Sequence, residues 1–279
     1  MSRLRRRLLA LALVCGCVIA FLLSPLFPFV RSLAVMGVYS GMHQRQSLLA
    51  EEGIRLHIPG GLATPEADWY PFVMTFTADA AYAAYTGQPD ARLTILYNFP
   101  AFDLSRGCSR LYDPNSPYYN GFYGAYLVRD GSNAALAGGD PDEDAAAQIA
   151  AFDFFTLVLG DFGLTPEERV FDFTVTERAS GVTYAGYEGW TKFQAEFTVN
   201  GSAHNAREGG VLSYLQYGAP GFGPVAEEFA PVEMHGIVCA RYFPEWDAGV
   251  YFYVMGTSAE LCRACDQEIL SKSTLEAKP

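Results

Sequence analysis

Residues 171–201 read FDFTVTERASGVTYAGYEGWTKFQAEFTVNG, and this stretch decides the fold class. Over residues 171–176, and again over residues 191–199, apolar and polar side chains alternate with a period of two. Such alternation is typical of β-strands that bury one face. Ser180-Gly181 predicts a turn after the first strand, and Asn200-Gly201 predicts a two-residue hairpin turn after the last one. The stretch therefore predicts consecutive antiparallel strands.

The rest of the chain adds further strands and two principal helices. The other strands are predicted at residues 54–58, 72–76, 92–99, 121–129, 181–187, 211–217, 232–243 and 249–255. One helix is predicted to begin at Asp140-Pro141, with Glu143 completing a capping box, and to end near Leu159. A second helix is predicted at residues 259–271. Because the predicted strands outnumber the two principal helices, we predict an α+β fold with a mainly antiparallel sheet of about nine strands.

An uncharged apolar run, LLALALVCGCVIAFLLSPLFPFV, occupies residues 8–30 and follows Arg3 and Arg5–Arg7. A helix of this length rises about 34 Å, which exceeds the ~30 Å hydrocarbon core of a bilayer. Arginine-rich flanks stay on the cytoplasmic side of a membrane. The predicted organisation is a cytoplasmic basic tail at 1–7, a transmembrane signal-anchor at 8–30 that contacts the lipid bilayer, a helical stalk at 31–52 and a single extracytoplasmic domain at 53–279.

Two other interpretations of this apolar run are open. A cleaved signal peptide would end at Val38-Tyr39-Ser40, but the apolar core of such a peptide spans only about 7 to 15 residues. The segment VCGC at residues 14–17 loosely resembles a lipoprotein box, yet 13 further apolar-run positions follow it. A retained single-pass anchor fits the length of the run best.

Charge is divided unevenly along the chain. Residues 1–31 hold five of the 19 Lys and Arg residues and none of the 31 Asp and Glu residues, so residues 32–279 carry a net charge of −17. A domain this acidic repels phosphate polyanions and gains no counterion release on binding them. We therefore expect no nucleic-acid partner, and the candidate ligands are a sugar, a peptide or another envelope protein.

The six cysteines divide in the same way. Cys15 and Cys17 lie within the apolar run, where they serve as small apolar residues. The four outer cysteines would face an oxidising compartment and predict two disulfides in one of three connectivities. These four are Cys108, Cys239, Cys262 and Cys265.

No metal ion or cofactor is predicted. His235, Cys239, Cys262 and Cys265 have the residue types of a structural zinc site. In the predicted strand at 232–243, however, His235 and Cys239 lie about 13 Å apart, which one ion cannot bridge. The Cys262-x-x-Cys265 spacing also occurs in thioredoxin-type redox pairs, but the 14 residues that follow it are too few to complete that fold.

Aromatic residues are concentrated between residues 112 and 126. The tyrosines of this interval are Tyr112, Tyr118, Tyr119, Tyr123 and Tyr126. Exposed rings form platforms on which sugars or peptide side chains stack. The competing explanation is that these rings fill a β-rich core, because the strand predicted at 121–129 carries aromatic residues on both faces. A ligand site is expected here and under the Gly- and Pro-rich loop at 218–231.

Recognisable catalytic motifs are missing from the sequence, which has no nucleophile elbow, Walker loop, Rossmann fingerprint or H-E-x-x-H motif. Asp153 lies among phenylalanines, where desolvation would raise its pKa as a general acid requires. With Asp113 and Asp103 it forms the candidate set for a hydrolase of envelope polymers. Non-catalytic recognition of a ligand or envelope partner is the favoured function. The hydrolase and a thiol redox protein acting through Cys262 and Cys265 are the alternatives.

Overall fold

The computed structural model describes residues 3–65, 67–130, 142–158, 164–202, 215–219 and 229–277. The chain has an α+β fold built around a seven-stranded antiparallel sheet. The strands are β1 (Ile54–His57), β2 (Met74–Thr77), β3 (Arg92–Asn98), β4 (Phe102–Asp103), β5 (Cys108–Ser109), β6 (Phe122–Arg129), β7 (Phe171–Tyr184), β8 (Tyr187–Asn200), β9 (Pro231–Phe243), β10 (Ala248–Gly256) and β11 (Thr274–Ala277). The helices are α1 (Arg3–Leu22), α2 (Leu26–Gln44), α3 (Leu48–Glu51), α4 (Asp79–Thr86), α5 (Glu143–Phe152) and α6 (Ala259–Glu268).

The main sheet has the strand order β2-β3-β6-β10-β9-β8-β7, and every neighbouring pair is antiparallel. Two small ribbons, β1–β11 and β4–β5, lie outside it. The predicted antiparallel α+β architecture is confirmed, whereas the predicted number of about nine strands is wrong for this sheet. One reason is that the two strands predicted on either side of Ser180-Gly181 are a single strand, β7.

β7 and β8 form a long hairpin whose turn differs from the predicted one. β7 passes through Gly181 without turning, because a bulge between Ala179 and Val182 accommodates this glycine, whose φ is 73°. The chain turns instead at Ala185-Gly186, where the two φ angles are 48° and 84°. Positive φ at both central residues is typical of a type I′ turn, which matches the twist of the paired strands.

The hairpin turn predicted at Asn200-Gly201 is also wrong. β8 ends at Asn200, whose side-chain amide donates to the carbonyls of Glu168 and Phe229, both at 3.0 Å. The Oδ1 atom of Asn200 accepts the backbone N–H of Val170 at 2.7 Å. Asn200 therefore connects the end of β8 to two other backbone segments, residues 168–170 and Phe229, in place of turning the chain.

Two other sequence predictions fall largely outside the described residues. The strand predicted at 211–217 is described only at its end, where residues 215–217 form a helical turn. The loop predicted at 218–231 is described only at residues 218–219 and 229–231, and β9 already begins at Pro231.

The sheet is covered on both faces. On the first face, α2, α4 and α5 pack over a core that includes Tyr126 and Tyr253. On the second face, α3, α6 and the β1–β11 ribbon pack over a core that includes Tyr123 and Phe252. Because successive strand residues point to opposite faces, β6 supplies tyrosines to both cores. This arrangement explains why β6 and β10 are buried along almost their whole length.

α2 packs on the first face and does not form the predicted stalk. Pro28, Ser32 and Met36 are buried along one side of this helix. The hydroxyl groups of Ser32 and Tyr70 are hydrogen-bonded at 3.2 Å. Residues 31–52 therefore belong to the folded body of the protein, because the apolar side of α2 is buried against the sheet.

The apolar run at 8–30, predicted as the transmembrane anchor, is divided between two helices. Pro25 has no N–H to continue the hydrogen bonding of α1, and the Ser24 hydroxyl donates to the carbonyl of Phe21 at 2.7 Å instead. α1 has no buried residue, and the axes of α1 and α2 are bent by 82°. Among the described residues no single helix is long and apolar enough to cross a membrane, and α1 and α2 meet that criterion only as a bent pair.

α5 begins later than predicted. Its N-cap is Asp142, whose side chain accepts the N–H of Asp144 at 3.0 Å, while Asp140 and Pro141 lie outside the described residues. The α-helix ends at Phe152 and continues as a π-helical segment, Asp153–Val158. Asp153 therefore lies where the helical pitch changes. At the other end of the chain, α6 occupies most of the helix predicted at 259–271.

Candidate functional site

The candidate site is a cleft of about 260 Å³ on the second face of the sheet, between α6 and two loops. The α6 wall consists of Leu261, Ala264, Cys265 and Glu268, and the opposite wall consists of Trp69, Pro117 and Tyr118. Ser258, Glu260 and Ile269 complete the lining. The four α6 residues lie on one side of the helix because they are spaced three and four residues apart. Ser258 caps this helix by accepting the N–H of Leu261 at 3.2 Å.

Trp69 forms the rigid part of the aromatic wall. Its ring meets Tyr118 and Tyr123 edge to face, with centroid distances of 5.3 Å and 4.8 Å. Tyr123 is itself held from two sides, since its hydroxyl donates to the carbonyl of Pro59 at 2.7 Å and accepts from the amide of Asn98 at 2.9 Å. Trp69 is only 4% exposed, so its orientation is set by the core and not by solvent.

Tyr118 is held by a charged pair on its other side. Its hydroxyl donates to Asp68 Oδ2 at 2.8 Å, and Arg110 donates to Asp68 Oδ1 at the same distance. The guanidinium of Arg110 lies 5.2 Å from the centroid of the Tyr118 ring. Burial and the hydrogen bond to Asp68 raise the pKa of Tyr118. The phenol therefore stays neutral at physiological pH and remains a hydrogen-bond donor.

The cleft has an acidic lining and the size of one side chain or one sugar ring. Glu260 and Glu268 are its charged lining residues. Glu268 pairs with Lys272 at 3.0 Å, but both side chains are more than half exposed, so this pair is weak. An apolar floor, an aromatic wall and carboxylates at the edge can hold a compact group that carries a positive charge.

Of the five predicted tyrosines, Tyr118 lines this cleft and Tyr123 supports its wall, whereas the other three lie elsewhere. Tyr112 is buried in the core of the first face, with its ring edge-on to Tyr217 at 5.9 Å. The Tyr119 hydroxyl donates to the carbonyl of Ser202 at 3.1 Å. Tyr126 is also in the core of the first face. The sequence interval from 112 to 126 is therefore distributed over both cores, and it does not form one continuous platform.

Asp153 is buried between α5 and the sheet. Tyr126 donates its hydroxyl to Asp153 Oδ2 at 2.7 Å, and the Tyr126 ring stacks on Tyr253 with a centroid distance of 4.2 Å. Desolvation raises the pKa of Asp153 to about 7, although the Tyr126 hydrogen bond opposes this shift. The α6 cleft does not include Asp153 in its lining.

Asp103 and Asp113 have ordinary turn-forming roles. Asp103 Oδ1 accepts the hydroxyl of Ser105 at 2.6 Å, which lowers the pKa of Asp103. Burial alone would raise the pKa of Asp113, but the N–H of Asn115 and the guanidinium of Arg106 hold it below its usual value. Asp103 and Asp113 both lie close to Arg106, whereas Asp153 is buried under α5. These contacts do not bring the three predicted carboxylates into one cleft.

The predicted disulfides are not formed. All six cysteines lie within the described residues, and no two of them are bonded. Cys108 is in the core of the first face, whereas Cys239, Cys262 and Cys265 are in the core of the second face, so the sheet separates Cys108 from the rest. The thiol of Cys262 donates to the carbonyl of His235 at 3.4 Å. Each of the four packs as a small apolar residue.

Burial also makes Cys262 a poor redox thiol. Desolvation raises the pKa of Cys262 to about 12, whereas a reactive thiol has a lowered pKa. No group of three or more His, Cys, Asp or Glu side chains placed to hold a metal ion occurs in the described parts of the chain.

Two further clefts adjoin the far end of the sheet. One holds about 50 Å³ between α5 and the sheet and is lined mainly by alanine and phenylalanine side chains. The other holds about 420 Å³ across β7, β8 and β9 and includes three exposed carboxylates, Asp172, Glu196 and Glu233. Neither includes a residue of the predicted aromatic interval.

Sequence reasoning found Tyr118 but missed most of the residues that surround it. Asp68 and Arg110 orient Tyr118 from 50 and 8 residues away in the chain, and the sequence has no pattern that joins them. The α6 wall did have a signal. Leu261, Ala264, Cys265 and Glu268 have the spacing of one helix face within the helix predicted at 259–271.

Comparison of the chain with protein-family models, with curated proteins and with solved structures yields no match.

Proposed function

We propose that this protein is a membrane-anchored, outward-facing domain that recognises an envelope protein without catalysis. The anchor is the apolar run at 8–30, whose first helix, α1, exposes apolar side chains on all sides, for example Leu13 at 70% and Ile19 at 56%. A bilayer surrounds a helix completely, as such a surface requires. Arg3 and Arg5–Arg7 at its beginning would remain at the cytoplasmic surface and reach into the headgroup region.

The observation that carries the recognition proposal is the cleft between Trp69, Tyr118 and α6. It combines two rings, an apolar helix face and the carboxylates of Glu260 and Glu268. A lysine or arginine side chain of a partner protein fits this chemistry, because its aliphatic stem packs on the rings while its charge approaches a carboxylate. The net charge of −17 on residues 32–279 would also speed the approach of a basic partner.

The contacts of the predicted catalytic residues give little support to the hydrolase alternative. Glycosidic chemistry needs two carboxylates about 5 to 9.5 Å apart around one substrate. Asp153 is instead hydrogen-bonded to Tyr126 in the core, and Asp103 and Asp113 form turns. No cofactor is part of the proposal.

The test uses the full-length protein in detergent with fluorine-labelled tryptophan. The three tryptophan signals are assigned by single Trp→Phe variants, and the protein is titrated with peptides that differ in one central residue, Lys, Arg, Leu or Glu. We expect the Lys and Arg peptides to shift the Trp69 signal. Tyr118→Ala should weaken their binding about tenfold, which corresponds to ~1.4 kcal/mol.

The matched control is Tyr85→Ala, because Tyr85 is 46% exposed on α4, on the other face of the sheet. It should leave peptide affinity unchanged. Ala264→Trp, which fills the cleft, should abolish binding while circular dichroism confirms the fold. Peptide binding that survives Ala264→Trp, or equal binding of the Glu peptide, would refute the proposed recognition. If neutral oligosaccharides shift the Trp69 signal and the peptides do not, the ligand of the cleft is a glycan and not a protein.

A further inference from the structure

α2 is apolar on the side that faces away from the sheet as well as on the side that packs against it. The exposed residues on that outer side are Leu26, Val30, Ala34, Gly37, Val38, Gly41 and Met42. Val38 is 67% exposed and Met42 is 61% exposed. At about 100° per residue, the side chains from Leu26 to Met42 span an arc of roughly 160°, opposite the buried Pro28, Ser32 and Met36.

One charged residue, Arg31, falls within this arc, at about 140° from Leu26. The guanidinium of Arg31 is directed at the folded body, where it donates to the carbonyl of Gly218 at 3.2 Å. His43 is half-buried and contacts the Thr77 hydroxyl at 2.6 Å. A helix that is apolar all round is normally buried on all sides, so this face of α2 requires a cover.

The neighbouring helix, α1, indicates what covers the outer face of α2. The exposed apolar surface of α1 continues through Leu22 and Leu23 to Leu26 of α2 without a charged residue. α2 is turned by 82° from α1. If α1 stands along the bilayer normal, with its arginines reaching into the headgroups beyond the uncharged residues from Leu8 to Leu22, this angle places α2 nearly parallel to the membrane surface.

We infer that the outer face of α2 lies in the lipid interface on the outer side of the bilayer and holds the domain flat against it. This inference rests on the proposed insertion of α1. Interfacial helices bury their apolar face about 5 to 10 Å into the headgroup and acyl boundary, which suits side chains of the size of Val38 and Met42. The domain then sits directly on the membrane, without a stalk.

A second copy of the chain is a weaker candidate for the cover. Gly37 and Gly41 have the spacing of a helix-pairing motif, and a Cβ atom at either position would meet no neighbour within 4 Å. A paired α2 would bury one stripe, however, and would leave the adjoining surface of α1 exposed on all sides. Lipid covers both helices at once.

The test places a fluorescent probe at single cysteines in the full-length protein, in phosphatidylcholine and phosphatidylglycerol vesicles. Cys15→Ala and Cys17→Ala remove the exposed native thiols, and the other four are buried. The probed variants are Val38→Cys and Met42→Cys on α2, Leu13→Cys on α1 and Ser180→Cys, an exposed position on β7. Phospholipids with a nitroxide on the acyl chain then serve as quenchers.

We expect the probes at residues 13, 38 and 42 to lose about half of their emission or more, and the probe at residue 180 to be unaffected. Quenching at residue 13 with none at 38 and 42 would overturn the interfacial position of α2 and leave the anchor intact. Quenching at none of the positions would overturn the anchor too. Probes at residues 38 and 42 that are shielded from lipid, with disulfide cross-linking of a Gly37→Cys variant, would show that a second copy covers α2 and would reject the inference.

Discussion

Asp153 brings an ionisable group into the core between α5 and the sheet. Its carboxyl group titrates near pH 7 in the folded protein and near its usual value of 3.8 when exposed. Between these two values the folded protein holds a proton that the unfolded chain has released. Stability therefore falls as the pH rises through this interval, and it is constant above the folded pKa.

We predict that Asp153→Asn removes this pH dependence. The asparagine keeps the size of the side chain and can accept the hydrogen bond of Tyr126, but it does not ionise. The variant should be more stable than the parent protein at pH 8 by up to about 4 kcal/mol, with the difference vanishing near pH 4. Urea unfolding at several pH values measures this directly. Asp90→Asn, at an exposed turn, is the control, and parallel pH profiles of parent and Asp153→Asn would contradict the raised pKa.

The burial of Asp153 could be predicted from the phenylalanines on both sides of it, because local sequence reports the apolar character of a helix segment. Its hydrogen bond to Tyr126 could not be predicted, since the two residues are 27 positions apart and meet only when α5 packs on β6. The same limit applies to Tyr118, whose partners Asp68 and Arg110 come from other loops.

At the scale of the element, α2 contains two methionines in opposite environments. Met36 is 1% exposed in the core of the first face, whereas Met42 is 61% exposed six residues later. The pair distinguishes a helix that is part of the fold from a stalk that stands apart, because a stalk would expose both.

We predict that Met36→Ala lowers the free energy of unfolding by about 2 to 5 kcal/mol, as large-to-small changes in a packed core do. Met42→Ala, the same change on the outer face, should alter it by less than about 0.5 kcal/mol. Urea unfolding of the full-length protein in detergent, followed by tryptophan fluorescence, gives both values. Equal and small effects would mean that α2 does not pack on the sheet in solution.

The sequence indicated helices in the region of α2 but not which surface of α2 would be buried. Both sides are apolar, so periodicity could not separate the side that meets the sheet from the side that does not. The long hairpin shows a related limit. Gly181 and Gly186 are equally good turn residues by composition, and the pairing of β7 with β8 places the turn at Gly186 and the bulge at Gly181.

At the scale of the whole molecule, the cysteines follow the two cores. The predicted disulfides assumed that cysteines in an oxidising compartment pair with one another. The sheet prevents this for Cys108, and the other three are each enclosed by the second core at 1% to 4% exposure. The antiparallel fold class was predictable because strand periodicity is local, whereas cysteine pairing depends on which layer each strand and helix enters.

We predict that the four outer cysteines are reduced and protected. Alkylation of the native protein should leave them unlabelled, because each is buried. Alkylation in denaturant without reductant should add six adducts, one for each cysteine in the chain. Intact mass spectrometry counts the adducts, with a sample reduced beforehand as the control. A count of two that rises to six after reduction would establish the disulfides that the structure lacks.

The placement of α2 and of the α6 cleft on opposite faces of one sheet has a consequence for how the protein can work. If α2 rests on the bilayer, the cleft opens away from the lipid, because α2 packs on the core of the first face and α6 packs on the core of the second. Lipid and partner then occupy independent surfaces, so neither displaces the other and no coupling free energy between the two sites is required. The sheet would act as a rigid spacer, with one face turned to the cell and the other to its surroundings.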